Sequence, residues 1–202
     1  MEGTTAPIKE ISKLCIEYDS KLLIDEAHAF GVMGSGGRGE SFELKEPISI
    51  ISGTFGKAFG SGGAFLATDK ITGKNLIQNC GAFRYTTALA PPLCASALAA
   101  LNLIESNPNW GSELKEKSKA LRDRLSQVGW QRPAGEGPII SIILGSDRLA
   151  MDYQERLEAQ GLLTVAIRPP TVPEGKSRLR LVIRRNTPDQ AFERLIEVLK
   201  NK

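Results

Sequence analysis

The chain has 202 residues, enough for one or two domains with a sizeable core. Lys and Arg number 26 against 23 Asp and Glu, a net +3 that is dispersed along the chain and too slight to imply a nucleic-acid partner. Cys15, Cys80 and Cys94 have no metal-ligand spacing, and their odd number argues against a disulfide framework. A reducing compartment, the cytoplasm, is therefore expected, with no metal site. The first residues do not show the charged-then-apolar pattern of a secretory signal.

Ile8, Ile11, Leu14, Cys15 and Tyr18 recur at helical spacing, which predicts a helix over residues 7–19 packed on a strand at 21–25. That strand ends in Asp25-Glu26-Ala27-His28, and residues 26–40 form a glycine-rich loop. Strands are predicted at 48–53 and 62–68, with Lys57 in the glycine-rich turn between them. In an open α/β sheet, the residues just beyond strand ends line the ligand crevice. Lys57 on such a turn can offer its amine to a carbonyl cofactor, and small neighbours would leave room for a flat ring. On its own, Gly56-Lys57 fits a solvated loop lysine as well.

The strand ending in Asp25 adds what the lysine lacks. Pyridoxal phosphate needs a lysine to hold it as an imine, an acid facing its pyridine nitrogen and a donor near its phenolic oxygen. Asp25 can keep that nitrogen protonated, because a nearby anion favours the charged form. His28 can donate to the phenolic oxygen; it is the only histidine in the chain, which leaves little for a histidine metal cluster or a Ser/His triad. An apolar strand followed by Asp-Glu-Ala-His also suits a helicase-type nucleotidase. That reading needs an upstream G-x-x-x-x-G-K-[ST] loop, and here Lys57 lies after the acidic strand, is followed by Ala58, and has Ile51 where the first glycine should stand.

Further along, helices are predicted at 69–79 and 93–106, flanking a crossing segment at 85–90. The apolar stretch 88–104 contains Pro91, Pro92, Ser96 and Asn102 and reads as a buried or dimer-facing helix rather than a membrane span. Asn107-Pro108-Asn109-Trp110 breaks the pattern and divides residues 1–106 from a smaller α+β domain at 107–202. In that domain Leu114, Ser118, Leu121, Leu125 and Val128 line one face of a helix at 111–129. Strands follow at 139–144, 162–167 and 178–183, covered by helices near 148–160 and 189–201. Met151, Tyr153 and Leu157 are assigned to its core. There is no internal repeat.

Taken together, Asp25-Glu26-Ala27-His28, Gly31-Val32-Met33-Gly34, Gly36-Gly37-Arg38-Gly39 and Thr54-Phe55-Gly56-Lys57 resemble the α-oxoamine synthase family. The resemblance implies fold type I of the pyridoxal-phosphate transferases, the aspartate-aminotransferase-like α/β fold, here as the later part of its large domain plus the small C-terminal domain. It implies condensation of an amino acid with an acyl thioester and loss of carbon dioxide, in a homodimer. Residue by residue it makes Lys57 the imine-forming residue and catalytic base, Asp25 the pyridinium partner and His28 the phenolate partner. Thr54 and Thr87 would bind the cofactor phosphate, Thr87 across a dimer interface. Arg180 would hold the substrate carboxylate; Arg178, Arg180, Arg184 and Arg185 also fit a solvated basic cluster at a strand end. The segment Ala166-Ile167-Arg168-Pro169-Pro170-Thr171-Val172-Pro173 with Arg178-Leu179-Arg180 resembles the branch that joins alanine to a pimeloyl thioester in biotin synthesis. Sibling branches use glycine or serine, and a non-catalytic remnant is the remaining alternative. Members of the family begin well upstream of the Asp25 strand, with a ring-stacking side chain and further sheet strands. The expectation is that Met1 stands inside the family's length and that the 202 residues alone aggregate or hold cofactor poorly.

Overall fold

The computed structural model describes residues 1–200; the predicted helix end at Asn201 lies outside the described residues. The chain divides into two units. One is Ala6–Ser112, and the other joins Met1–Thr5 to Glu113–Lys202.

In the first unit helix α1 (Ile8–Glu17) precedes strand β1 (Leu23–Asp25), followed by two short 3-10 turns in the glycine-rich loop, β2 (Ile50–Thr54) and β3 (Ala64–Thr68). The sheet order is β1-β2-β3. β1 runs parallel to β2, with Asp25 opposite Ser52, and β3 returns antiparallel with Ala64 opposite Thr54. β2 therefore ends at the turn holding Lys57. Helix α2 (Lys70–Asn79) starts where Asp69 caps it, accepting the amides of Ile71 at 2.8 Å and Thr72 at 3.0 Å. A one-turn helix α3 (Gly81–Arg84) and an extended segment lead to α4 (Pro91–Ser106). The proline pair at the start of α4 suits the first turn of a helix, where the amides need no intrahelical partner.

One packing expectation for this unit is corrected. In α1 the predicted apolar face is only partly covered: Ile8, Ile11 and Cys15 are half-buried, Leu14 is 52% and Tyr18 70% exposed, while Ser12 is buried. The hydroxyl of Ser12 donates to the Lys9 carbonyl at 2.9 Å, so the helix buries a small polar residue with its bond satisfied. In α4 the buried residue is Ala97, and Leu98 and Leu103 are exposed. Among the described residues no helix is long and apolar enough to cross a membrane.

The second unit is an antiparallel sheet of order β4-β6-β5, formed by Ile139–Gly145, Ser177–Val182 and Val165–Ile167. Helices α5 (Trp110–Gln127), α6 (Asp147–Ala159) and α7 (Asp189–Lys200) supply its core partners. The sheet alternates in and out. Ile140, Ile142, Leu179 and Leu181 enter the core with Leu121 and Leu125 of α5, Tyr153 and Leu157 of α6, and Phe192, Leu195, Ile196 and Leu199 of α7. The α7 set recurs at i, i+3, i+4 and i+7, one helical face, each side chain worth about 1.5–3 kcal/mol of burial. Met151, expected in the core, is only half-buried; Ala150 occupies the interior position on that turn of α6.

The fully buried Arg122 was not foreseen within the apolar run of α5. It donates to the carbonyls of Ala134, Gly137 and Ile139 at 3.3, 2.9 and 2.8 Å, so one side chain ties the loop after α5 to the start of β4. The first residues join the same unit through an ion pair between Glu2 and the buried Arg178. The N-terminal stretch thus packs with a strand 176 positions away in sequence.

Candidate active site

Exposure alternates along β1 and just beyond it. Leu22, Ile24 and Glu26 are buried, whereas Leu23 and Asp25 are exposed. Asp25 thus faces the open side at the strand's carboxyl end, where its Oδ1 accepts the Ala27 amide at 2.7 Å. Such a turn holds the carboxylate in place.

Glu26 takes the opposite face and is only 2% exposed. Its carboxylate accepts the amides of Ser41 at 2.7 Å and Glu40 at 3.1 Å, which fastens the far end of the glycine-rich loop beneath β1. Gly39 makes this possible. Its φ of +94° suits glycine, and a Cβ there would stand 2.9 Å from the Glu26 carboxyl carbon. Glu26 was not singled out from the sequence, although the shared parity of Leu22, Ile24 and Glu26 carries the signal.

His28 lies on the turn closed by the Ala29 and Phe30 amides, which donate to the Glu26 carbonyl at 2.9 and 2.7 Å, and its side chain is exposed. At the end of β2 a second closed turn presents Lys57. Phe55 donates to Gly63 at 2.9 Å, Ser61 to Phe55 at 2.8 Å and Gly60 to Lys57 at 3.0 Å, all through backbone groups. Lys57 is exposed, and its ammonium makes no hydrogen bond or ion pair among the described residues. The hydroxyl of Thr54 accepts the Gly56 amide and donates to the Gly63 carbonyl, both at 3.1 Å, so it braces the lysine turn.

The neighbours of Lys57 are not all small. Phe59 is buried and stacks on Phe30 with centroids 4.9 Å apart, and Phe55 and Phe65 complete a cluster with centroid spacings of 5.2–5.5 Å. Each aromatic pair adds about 0.5–1.5 kcal/mol beyond its buried area. Phe30 stands two residues after His28 and Phe59 two after Lys57, so the stack couples the two turns. This cluster went unread in the sequence, because Phe30 lies about 25 residues before the hairpin that carries Phe55, Phe59 and Phe65.

Residues 85–90 approach the same turn from the chain's other side. A Cβ on Gly63 would come within 2.4 Å of the Leu89 side chain, and the Ser61 hydroxyl donates to the Leu93 carbonyl at 2.7 Å. Thr87 is exposed on this extended segment. Asp25, His28, Thr54 and Lys57 therefore gather at the carboxyl ends of two adjacent parallel strands, while Arg180 belongs to β6 of the other unit.

This arrangement, two strand-end turns presenting an acid and an unpaired lysine, sits on an α/β scaffold, and the chain belongs to the aminotransferase class I and II family, which it matches over residues 1–199. Its fold is fold type I of the pyridoxal-phosphate transferases, the aspartate-aminotransferase-like fold. The 8-amino-7-oxononanoate synthase of Nitrosospira multiformis is 40% identical over 183 residues, 90% of this chain and 46% of that protein. That of Lysinibacillus sphaericus is 36% identical over 202 residues, 99% and 52% of the two chains. Among solved structures, Sphingomonas wittichii serine palmitoyltransferase superposes with a TM-score of 0.91 at 25% identity, covering 99% of this chain and 51% of that one. An SPT structure with the same figures contains PLP as an internal aldimine. The 8-amino-7-oxononanoate synthase of Francisella tularensis gives 0.81 at 26% identity, covering 95% and 57%. The chain spans about half the length of the curated relatives it matches.

Proposed function

We propose that this chain carries the lysine-bearing portion of a pyridoxal-phosphate-dependent acyltransferase that condenses L-alanine with a pimeloyl thioester, on coenzyme A or an acyl carrier protein, to 8-amino-7-oxononanoate and carbon dioxide. In this reading it works as a cytoplasmic homodimer. The observation that carries it is the pairing of Asp25 and Lys57 at the ends of adjacent parallel strands, in a chain whose curated relatives bear that synthase's name.

The residues present fit pyridoxal phosphate. Lys57 offers an exposed amine with no ion pair among the described residues, and Asp25 presents an exposed carboxylate on the same side of the sheet ends. Thr54 fits less directly, since its single hydroxyl proton is already donated to Gly63 and a phosphate contact requires that bond to open. When bound, the cofactor supplies an electron sink for the α-carbon of an amino acid. Lys57 would hold it through its ε-nitrogen, then, once displaced by the substrate amine, take the α-proton. Asp25 would keep the pyridine nitrogen protonated, His28 would donate to the phenolic oxygen, and Thr54 and Thr87 would hold the phosphate. Arg180 would clamp the amino-acid carboxylate with its planar fork of donors. Residues 6–112 would form the cofactor domain's later part, and residues 113–202 with the first five the small domain.

A sibling synthase using serine or glycine is the second reading, favoured by the TM-score of 0.91 to serine palmitoyltransferase. A non-catalytic piece that folds or dimerises without cofactor is the third, favoured by the half-length match. The deciding assay presents alanine, glycine and serine with pimeloyl, acetyl, succinyl and palmitoyl thioesters to the protein carrying this chain, with any coding sequence that precedes it retained. The proposal expects alanine with pimeloyl to lead. Preference for serine with palmitoyl or glycine with a short acyl group selects the sibling, and no turnover with any pair selects the third reading.

A further inference from the structure

One face of the β4-β6-β5 sheet is packed with the apolar residues of the core, and the other carries Ser141, Arg178 and Arg180. Arg178 is already satisfied, by the Glu2 carboxylate and by the Lys176 carbonyl at 2.9 Å. Arg180 makes no ion pair among the described residues, and its Nε is buried without a hydrogen-bond partner.

Directly opposite Arg180 in the antiparallel register stands Ser141. Facing residues on antiparallel strands project to the same side with Cβ atoms about 4.5–5.5 Å apart. Ser141 is 7% exposed, and its Oγ also has no partner among the described residues. Buried polar groups are otherwise paired almost throughout protein interiors, and one left alone costs stability. Here two such donors, one cationic and one neutral, lie side by side on the same sheet face. An anion with two adjacent acceptor atoms would satisfy both at once, and a carboxylate has that form.

We propose that Ser141 is a second donor for the amino-acid carboxylate, acting beside Arg180. This rests on the role given to Arg180 above and deepens it. Arg180 supplies the charge, and the Ser141 hydroxyl fixes how the carboxylate is turned.

The test uses the pyridoxal-phosphate-loaded protein carrying this chain, with any preceding coding sequence retained. L-alanine and L-alaninamide, which lacks the carboxylate, are titrated calorimetrically into the parent, Ser141→Ala and Arg180→Lys proteins. Thermal melting is recorded without either ligand. The expected result is that Ser141→Ala weakens L-alanine about tenfold, the scale of one hydrogen bond to a charged group, and leaves L-alaninamide unchanged. Because the hydroxyl has no partner to lose, the ligand-free melting midpoint of Ser141→Ala should hold or rise. A lowered ligand-free midpoint would reveal a folding partner for the hydroxyl and overturn the inference. Unchanged L-alanine affinity in Ser141→Ala alongside weakened affinity in Arg180→Lys would also overturn it, leaving the Arg180 role standing. Unchanged affinity in both variants would remove the Arg180 role as well.

Discussion

Phe30 and Phe59 lie face to face, their rings 4.9 Å apart with 12° between planes, each two residues beyond a side chain assigned to the cofactor. The pair joins the turn of His28 to the turn of Lys57 through buried apolar contact, so the packing beneath the site and the chemistry above it are one structural unit. Phe59→Ala should therefore destabilise the protein by about 3–5 kcal/mol, the range for truncating a buried phenylalanine. Urea unfolding measures this directly, and Phe59→Leu should recover more than half. A loss below about 1 kcal/mol, the size of an ordinary substitution, would show that the stack does not hold the turns.

Asp25 can be separated from that scaffold because it faces outward. Asp25→Ala should leave folding within about 1 kcal/mol, as for an exposed side chain whose lost bond is a local turn. Cofactor attachment should persist through Lys57, while removal of the α-proton from alanine, followed by deuterium exchange, slows by orders of magnitude. Exchange at the parent rate would contradict the role given to this carboxylate.

How far the site could be read in advance follows from which interactions are local. Asp25, His28 and Lys57 could be singled out as candidates because each stands at, or three residues beyond, the end of a short apolar run, which is a local feature. Most elements agree to within two or three residues for the same reason, hydrophobic period being a local property. β2 begins at Ile50 rather than 48 and β5 at Val165 rather than 162, since ladder pairing rather than apolarity decides where a strand starts. Glu26 was hidden by its neighbour. Read as part of Asp25-Glu26-Ala27-His28 it looks like motif, whereas its parity with Leu22 and Ile24 marks it as a buried brace. The Glu2–Arg178 pair and the meeting of Phe30 with Phe59 were beyond reach, because the partners lie far apart in sequence and no spacing rule connects them, and nothing local tells which carbonyls Arg122 finds.

The Glu2–Arg178 pair predicts an acid-side loss of stability. The Arg178 guanidinium, through its hydrogen bond, holds the Glu2 carboxyl below its usual value. A carboxylate depressed in the folded state stabilises above its unfolded pKa, and that contribution fades as pH falls through the folded one. Urea midpoints should thus converge between the parent and Glu2→Gln proteins below the ordinary carboxylate range, and differ at neutral pH with the parent higher. A constant gap at both pH values would mean the pair contributes nothing that titrates.

The 202 residues expressed alone should self-associate. The first unit exposes Leu14, Ile16 and Tyr18 on and just beyond α1, and Ile71, Ile77 and Tyr85 further on, with Ile71 82% and Tyr85 83% exposed. Apolar surface on this scale marks contact surfaces or aggregation. Light scattering at micromolar concentration should report species above 21.9 kDa. A stable monomer would show that these side chains are tolerated in water.

The central claim is that Lys57 is the residue to which the cofactor is bonded, and one measurement meets it head on. The protein carrying this chain is incubated with pyridoxal phosphate, reduced with borohydride, digested and mapped by mass spectrometry. The account predicts a single phosphopyridoxyl adduct on the peptide containing Lys57, lost in Lys57→Ala. An adduct seated on another lysine, with Lys57 unmodified, would contradict it.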